Sequence, residues 1–195
     1  MQKLTVDFII SLDGYAAAEG WPGFWGLEGP EYLGWLNNNG GDEHTDLLGA
    51  TTYRKMSGLA ADRPDELAGL TALPKVVFSS TLEVPLSWAN TELVNKDPVE
   101  AVRAMKHSSS RPLRTLGSLT LCRALLGARL VDRFRVVVFP VITGDTGRER
   151  IFDGYPDVAL EMVESRTFDG RLQLLEYLPT VLDGPPLAHQ PGEGA

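Results

Sequence analysis

The sequence predicts a three-layer α/β domain, with a mostly parallel, mixed sheet, helices on both of its faces and a C-terminal β-hairpin. Strand-like segments alternate with helix-like segments along most of the chain, and this order favours a parallel sheet covered on both sides. Two further strand-like runs flank Asp169-Gly170, a dipeptide typical of a tight hairpin turn. The length of 195 residues suits one domain.

The N-terminal segment begins with a predicted buried strand. Residues 4–10 form a short, mainly apolar run, and Asp13-Gly14 after it signals a sharp turn. A loop rich in glycine and tryptophan follows. Pro30 then opens a predicted helix that ends near residue 38, because proline is favoured at the first helical position. The expected apolar stripe of this helix consists of Tyr32, Leu33, Trp35 and Leu36.

The central segment is predicted to hold short elements. Residues 46–49 are expected to form a strand and residues 51–56 a short helix, with residues 57–73 mostly in a loop. Two more strands are expected at residues 75–78 and 91–94, where short runs with β-branched side chains are bounded by polar residues.

Asp97 marks the best-defined helix start in the chain. It combines an N-cap aspartate with Pro98 at the first helical position and Glu100 at the capping-box spacing. The helix is expected to end near Lys106, since a cation is favourable at a helix C-terminus.

The last third of the chain is predicted to contain a strand, a helix and three more strands. The expected bounds are a strand at 113–116, a helix from 117 to about 128, a strand at 133–141, and hairpin strands at 158–167 and 171–178. Residues 180–195 are rich in glycine and proline and are predicted to form a disordered tail. The predicted domain therefore spans residues 1–179.

Composition excludes several classes of function. The net charge of -8 and the lack of a basic tract argue against nucleic acid or an anionic membrane as a partner. One cysteine, Cys122, and three scattered histidines argue against a metal site. No apolar run approaches the ~20 residues of a membrane span, and Met1 leads directly into a strand. We therefore expect a cytoplasmic protein.

Four predicted strand ends carry small or polar residues. Ligands of open α/β sheets bind outside the carboxyl ends of the strands, and glycine there allows backbone amides to approach a phosphate closely at a helix N-terminus. The four ends are Ser11-Leu12-Asp13-Gly14, Gly49-Ala50-Thr51-Thr52, Ser79-Ser80 and Gly117-Ser118.

The predicted helix starts differ in charge. Asp97 and Glu100 neutralise one of them, and Glu31 lies at the start of another. The helices after Gly49 and Gly117 carry no acid in their first turns, so an external phosphate would complement the positive ends of their dipoles. Ordinary tight turns explain this feature equally well.

These turns belong to longer motifs that resemble a known family. The motifs are Ser11-Leu12-Asp13-Gly14 (S-x-D-G), Leu48-Gly49-Ala50-Thr51-Thr52-Tyr53 (G-R-x-T-Y), Gly117-Ser118-Leu119-Thr120-Leu121 (G-[GS]-x-x-L), and Leu130-Val131-Asp132 followed by Pro140-Val141-Ile142-Thr143-Gly144 (L-V-D…P-V-x-x-G). With them, about residues 3–178 resemble the dihydrofolate-reductase-like reductases, and among these the C-terminal reductase domain of the bifunctional riboflavin-biosynthesis protein.

The resemblance implies NADPH as hydride donor and a small heterocyclic or ribosylaminopyrimidine-type substrate. Asp13 would lie near the nicotinamide and the substrate, where it would position the substrate or relay a proton, although a plain turn former remains the alternative. Trp25 would stack on a flat substrate, with a local hydrophobic plug as its alternative. The pyrophosphate and nicotinamide would be held by Gly49, Thr51, Thr52, Gly117, Ser118, Leu119, Thr120 and Leu121, and the adenosine 2′-phosphate would lie by Ser79 and Ser80.

One departure from the family pattern bears on the cofactor. Ala50 stands where the family usually has an arginine, and alanine cannot pair with a phosphate. Arg54, Lys55 or Lys75 would have to compensate, and NADH is the alternative donor. A nucleotide-binding or small-molecule-binding module without efficient hydride transfer is therefore the alternative function, and a purely structural dimer module is a third. A homodimer is expected from the resemblance.

Overall fold

The computed structural model describes residues 1–20, 24–38 and 43–186. Within these residues, ten strands and five α-helices form the fold. The strands are β1 (Leu4–Ser11), β2 (Tyr15–Ala18), β3 (Thr45–Gly49), β4 (Lys75–Phe78), β5 (Thr91–Val94), β6 (Leu113–Thr115), β7 (Arg133–Phe139), β8 (Gly147–Arg150), β9 (Val158–Phe168) and β10 (Leu172–Val181). The helices are α1 (Pro30–Asn38), α2 (Ala50–Asp62), α3 (Ala68–Ala72), α4 (Pro98–Ser108) and α5 (Leu119–Gly127).

Eight of these strands form one mixed sheet in the order β5-β4-β3-β6-β1-β7-β10-β9. The first six are parallel to one another, whereas β10 runs antiparallel to β7 and β9 antiparallel to β10. The predicted fold class, including the C-terminal hairpin, is confirmed. A separate two-stranded ribbon pairs β2 with β8; the sequence analysis did not predict it, because strands of four residues are too short to show a periodic pattern.

Apolar side chains of the sheet alternate between its faces and divide the core into three clusters. Phe8 of β1 packs with α4 and α5 on one face, whereas Ile9 contacts the cluster around α1 on the other. In the same way Leu47 faces α4 and α5, and Leu48 faces α2, α3 and the buried ring of Trp88. Because successive side chains of a strand point to opposite faces, both faces of the sheet are apolar, and helices pack against each of them.

The predicted loop at residues 57–73 is wrong. Helix α2 continues to Asp62, and α3 follows within the same segment. Tyr53 and Ala60 of α2 are both buried, and their spacing of about two helical turns gives α2 one packed face. Gly58 lies inside α2 with nothing within 4 Å of an added Cβ, so a larger residue would fit at this position.

Helix α4 ends at Ser108, so its predicted end near Lys106 is confirmed. Lys106 lies in the last turn of this helix but is not exposed. Its ammonium is buried, donates to the Leu130 carbonyl at 2.6 Å and pairs with Asp132. Asp132 also accepts a hydrogen bond from the Leu4 backbone at 2.7 Å, so this pair ties β1 and α4 to the turn before β7.

The C-terminal region of the domain extends slightly beyond residue 179. Strand β10 includes Thr180 and Val181, which the sequence analysis assigned to the tail. Residues 187–195 of the predicted tail lie outside the described residues. None of the helices in the described part of the chain is long and apolar enough to cross a membrane.

Candidate functional site

The four polar strand ends meet at one edge of the sheet. Strands β1, β3, β4 and β6 are parallel, with β4 beside β3, β3 beside β6, and β6 beside β1, so their carboxyl ends share this edge. The turns after β3 and β6 are in direct contact, because a Cβ added to Gly117 would lie 3.5 Å from the Thr52 side chain. The sequence motifs built around Gly49 and Gly117 therefore form one continuous surface.

Ser118 links these two turns. Its hydroxyl accepts the Gly49 backbone N–H at 2.7 Å and donates to the Thr52 hydroxyl at 2.8 Å. Ser118 has a φ of +67°, and Gly117 before it a φ of +59°. A left-handed conformation is uncommon for a residue other than glycine and costs on the order of 1 kcal/mol, so the hydrogen bonds hold Ser118 in a strained position at the site.

The helix N-termini at this edge differ from those elsewhere in the fold. Asp97 caps α4 by accepting the Glu100 backbone N–H at 2.9 Å. Asp169, from the β9–β10 turn, caps α1 by accepting the backbone N–H groups of Glu31 and Tyr32, both at 3.1 Å. Among the described residues, no side chain caps α2 or α5, and neither has an acid in its first turn. The two adjacent helices at the sheet edge thus keep their positive ends for an anion.

The end of β4 forms a polar loop beside α2. The Ser79 hydroxyl accepts the backbone N–H groups of Thr81 and Leu82 at 3.0 and 3.1 Å. The exposed guanidinium of Arg54, one turn into α2, approaches the Thr81 hydroxyl at 3.4 Å. Ser80 is exposed on the same loop. The loop therefore brings a cation next to Ser79 and Ser80.

The other two candidate cations are engaged elsewhere. Lys55 forms an exposed ion pair with Glu149 of β8 at 2.8 Å. Lys75 is the first residue of β4, at the opposite end from Ser79, and is only 1% exposed. Its ammonium donates to the backbone carbonyls of Leu70, Thr71 and Leu73, in α3 and just after it. The same ammonium lies 4.6 Å from the centre of the Trp88 ring, and burial lowers the pKa of Lys75. Lys75 is therefore not a compensating cation for Ala50.

Asp13 joins the turn after β1 to the loop after β7. Its carboxylate accepts the Ser11 hydroxyl at 2.6 Å, the Gly144 backbone N–H at 2.9 Å and the Thr143 backbone N–H at 3.2 Å. The Ser11 hydrogen bond, helped by those from Gly144 and Thr143, lowers the pKa of Asp13 to about 2. This carboxylate is ionised at neutral pH, so it accepts hydrogen bonds and does not donate a proton.

Sequence reasoning missed Thr143 as a member of this group. Strands β1 and β7 pair in register with Ser11 opposite Phe139, so the residues after each strand end side by side. The motif containing Thr143-Gly144 was recognised, but its partner lies 130 residues away in the chain. Only the parallel pairing of β1 with β7 would have pointed to the contact.

Trp25 belongs to an aromatic cluster between α1 and the sheet. Its ring lies 5.6 Å from that of Phe139, and Phe139 also contacts Tyr32 and Phe24. Trp25 is half-buried, with a φ of +50°. The packing favours the hydrophobic plug over a ring left open for stacking. The preceding residues 21–23 lie outside the described part of the chain.

Two acids, Glu28 and Glu31, lie at the start of α1. The Glu31 side chain accepts the Asp169 backbone N–H at 2.6 Å, so it completes a reciprocal capping arrangement. Glu28 is half-buried beside the aromatic cluster. Within the described residues, no group of three or more histidine, cysteine, aspartate or glutamate side chains is arranged to hold a metal ion.

Comparison with known proteins identifies similar sequences. Residues 2–174 match the family model of the RibD C-terminal domain. The chain is 25% identical over 183 residues to the uncharacterized protein YyaP of Bacillus subtilis (strain 168), an alignment that covers 90% of this chain and 94% of YyaP.

Solved structures share the fold at low sequence identity. A Shewanella sp. PV-4 protein described as a candidate riboflavin biosynthesis protein has a TM-score of 0.70 at 18% identity, covering 92% of this chain and 99% of that one. The diaminohydroxyphosphoribosylaminopyrimidine deaminase/5-amino-6-(5-phosphoribosylamino)uracil reductase from Thermotoga maritima has a TM-score of 0.65 at 16% sequence identity. This alignment covers 92% of this chain and 57% of the Thermotoga maritima chain. Dihydrofolate reductase from Enterococcus faecalis has a TM-score of 0.56 at 14% sequence identity, and the alignment covers 91% of this chain and 96% of that one. The fold is therefore dihydrofolate-reductase-like.

Proposed function

The chain belongs to the RibD C-terminal domain family, and from this premise we propose that it is an NADPH-dependent reductase of a small heterocyclic or ribosylaminopyrimidine-type substrate. The Thermotoga maritima relative is described as a reductase of 5-amino-6-(5-phosphoribosylamino)uracil, a compound of this class, and the chain matches 57% of that protein. A role in riboflavin biosynthesis and a cytoplasmic location follow from the same proposal.

The observation that carries the proposal is the pair of adjacent helix N-termini at the carboxyl edge of the sheet. Neither α2 nor α5 has an acid or a side-chain cap there, within the described residues, whereas α1 and α4 have both. Backbone N–H groups at such ends bind phosphate oxygens. The residues that would hold a pyrophosphate here are Gly49, Thr51, Thr52, Gly117, Ser118, Leu119, Thr120 and Leu121.

Arg54 supports NADPH over NADH. It is the candidate cation that lies beside Ser79 and Ser80, at 3.4 Å from Thr81, while Lys55 pairs with Glu149 and Lys75 is buried. Arg54 lies one helical turn beyond Ala50, and its guanidinium would supply the contact to a 2′-phosphate that Ala50 cannot make.

The bound cofactor would supply hydride from its nicotinamide, and the chain would orient the two reactants and exclude water. We propose Asp13 as the residue that positions the substrate end of the site, by holding the loops after β1 and β7 together. A proton relay through Asp13 is disfavoured, because its lowered pKa keeps the carboxylate ionised at neutral pH. Trp25, packed on Phe139, would close the site beside the substrate.

Thermal unfolding with NADPH and with NADH tests the cofactor assignment. A ligand at 100 times its dissociation constant stabilises by about 2.7 kcal/mol, which raises the midpoint of a chain of this size by roughly 5–10 °C. We expect a shift with NADPH and a smaller one with NADH. Arg54→Met should weaken NADPH binding on the order of tenfold and leave NADH binding unchanged. Arg63→Met is the matched control, since Arg63 follows the far end of α2 and pairs with Glu66.

Ala50 favours one other function, a binding module on the same fold without efficient hydride transfer. Both functions predict cofactor binding, so turnover separates them. Oxidation of NADPH in the presence of pyrimidine, pteridine and ketone substrates would support the reductase. Binding of NADPH with no oxidation across this panel would support the binding module, and no binding of either nucleotide would leave only a structural role. We infer that the protein acts as a homodimer in any of these cases.

A further inference from the structure

One exposed ion pair joins the two sides of the proposed cofactor site. The Lys55 ammonium, on α2, lies 2.8 Å from a carboxylate oxygen of Glu149, on β8, and the two side chains are 62% and 44% exposed. Helix α2 follows β3, whereas β8 pairs with β2, which follows β1. Within the sheet, β6 lies between β3 and β1. The ion pair therefore crosses the carboxyl end of β6, where the Gly117-Ser118 turn lies.

The position of Lys55 within α2 directs its side chain towards the same turn. Lys55 is the sixth residue of α2, which begins at Ala50, so it lies about 7.5 Å along the axis from the helix start. Side chains of a helix tilt towards its N-terminus, and this tilt carries the long lysine side chain back towards the first turn. That turn contains Thr52, which hydrogen-bonds to Ser118 at 2.8 Å. Lys55 thus extends towards the end of α2 that would bind a pyrophosphate.

The backbone of Glu149 is strained. Its φ is +61°, in the left-handed region that is uncommon for residues other than glycine. Strain of this kind is concentrated at sites that bind ligands or change conformation. An exposed ion pair contributes little to stability, so the contact with Lys55 does not by itself account for the strain.

We propose that Lys55 binds the pyrophosphate of a nicotinamide nucleotide, and that Glu149 holds this lysine in the nucleotide-free protein. This inference rests on the proposed function, which puts a pyrophosphate at the adjacent N-termini of α2 and α5. Phosphate oxygens there would accept the backbone N–H groups as well as the ammonium, so they form a better-supported anion for Lys55 than the exposed carboxylate does. Binding of the nucleotide therefore exchanges one anionic partner of Lys55 for another.

The exchange makes Lys55 and Arg54 differ in what they recognise. NADPH and NADH carry the same pyrophosphate, so Lys55 acts on both nucleotides. Arg54 lies on the side of α2 that faces Thr81, and the 2′-phosphate proposed for that side is present in NADPH alone. The two neighbouring cations are therefore separable by the choice of nucleotide.

Calorimetric titration of the full chain with NADPH and with NADH tests the exchange. Lys55→Met should weaken the binding of both nucleotides alike, on the order of tenfold. Glu149→Gln releases Lys55 and should strengthen the binding of both by about two- to fivefold, the affinity equivalent of an exposed ion pair. In a Lys55→Met background this gain should disappear, because no lysine is left to release.

Glu19→Gln is the matched control. Glu19 directly follows β2 and forms an exposed ion pair with Arg148 of β8 at 3.0 Å. The substitution removes the same charge from the same ribbon but leaves the contact between Lys55 and Glu149 in place, so nucleotide affinity should change by less than about twofold. Thermal unfolding without nucleotide establishes that each variant is folded.

The outcomes distinguish this inference from the proposed function. If the unchanged protein binds neither nucleotide, both are wrong. If both nucleotides bind and Lys55→Met has no effect, only the role of Lys55 is overturned. Unchanged or weaker binding in Glu149→Gln overturns the exchange. A gain that persists undiminished in the Lys55→Met background also overturns it, because Glu149 would then act only by repelling the phosphate.

Discussion

Ser118 and Gly49 are joined by a hydrogen bond of 2.7 Å, in which the Ser118 hydroxyl accepts the Gly49 backbone N–H. The bond connects the first turns of α2 and α5, and the Ser118 backbone is left-handed, with a φ of +67°. Two helix N-termini from neighbouring strands are thereby held at a fixed distance. This rigidity is what a site for a diphosphate requires, because both helices must present their N–H groups to one ligand.

Two substitutions of Ser118 distinguish what its hydrogen bonds contribute to stability from what its left-handed backbone costs. Ser118→Ala keeps the strained φ but loses the contacts to Gly49 and Thr52, so we expect a loss of about 1–2 kcal/mol in the free energy of unfolding. Ser118→Gly loses the same contacts but relieves the strain, which offsets about 0.5–1 kcal/mol. Urea unfolding of both variants measures the difference. Equal stability of the two would show that the left-handed backbone costs nothing at this position.

The β9–β10 turn caps α1 across a long sequence separation, and this makes Gly29 a sensitive position. A Cβ on Gly29 would lie 2.2–2.5 Å from the Asp169 carboxylate, so Gly29→Ala must displace the cap and should cost about 1–2 kcal/mol. Gly34, within α1, has nothing within 4 Å of such a Cβ, so Gly34→Ala should stabilise by about 0.5–1 kcal/mol. Thermal unfolding of the two variants checks the opposite signs. Destabilisation by both would point to helix packing and not to the cap.

The fold class could be predicted because it depends on local patterns, whereas several contacts at the site could not. The polar strand ends and the Asp97 cap are contained in short sequence segments, and the structure has them at the predicted positions. The Asp169 cap on α1 and the Thr143 contact to Asp13 join residues 137 and 130 positions apart. Such contacts depend on which strands become neighbours. Lys75 is a different case, because the predicted strand at residues 75–78 already put it at the end opposite Ser79.

Lys106 and Asp132 form a pair in which only one partner is deeply buried. The Lys106 side chain is 4% exposed and that of Asp132 is 36% exposed. Asp132→Ala leaves a buried ammonium with the Leu130 carbonyl as its remaining partner, so we expect a loss of about 3 kcal/mol or more. Lys106→Met keeps the buried stem and leaves Asp132 in contact with water, so its cost should be about 1 kcal/mol. Urea unfolding measures both, and a larger loss in Lys106→Met would contradict the stated order of burial.

Asp13 should make the protein less stable in acid. Its pKa is lowered from 3.8 to about 2 in the folded state, so the folded state favours the ionised carboxylate. The resulting stabilisation is fully present above the unfolded-state value of about 3.9 and is lost as the pH falls towards 2. Asp13→Asn removes this titration, and the dependence of unfolding free energy on pH between about 4 and 2 should become flatter. The same pH dependence in both proteins would contradict the hydrogen-bonded carboxylate.

The same substitution tests the positioning role proposed for Asp13. Asparagine keeps the size of the side chain but loses the negative charge that accepts the Gly144 and Thr143 N–H groups, so the loop after β7 should be held less firmly. We expect Asp13→Asn to lower kcat for a true substrate by at least tenfold, with little change in NADPH affinity, because misplaced reactants lose rate more than binding. A proton relay through Asp13 would add a pH dependence of turnover that the substitution abolishes. Unchanged kcat would rule out both roles and leave Asp13 as a turn former.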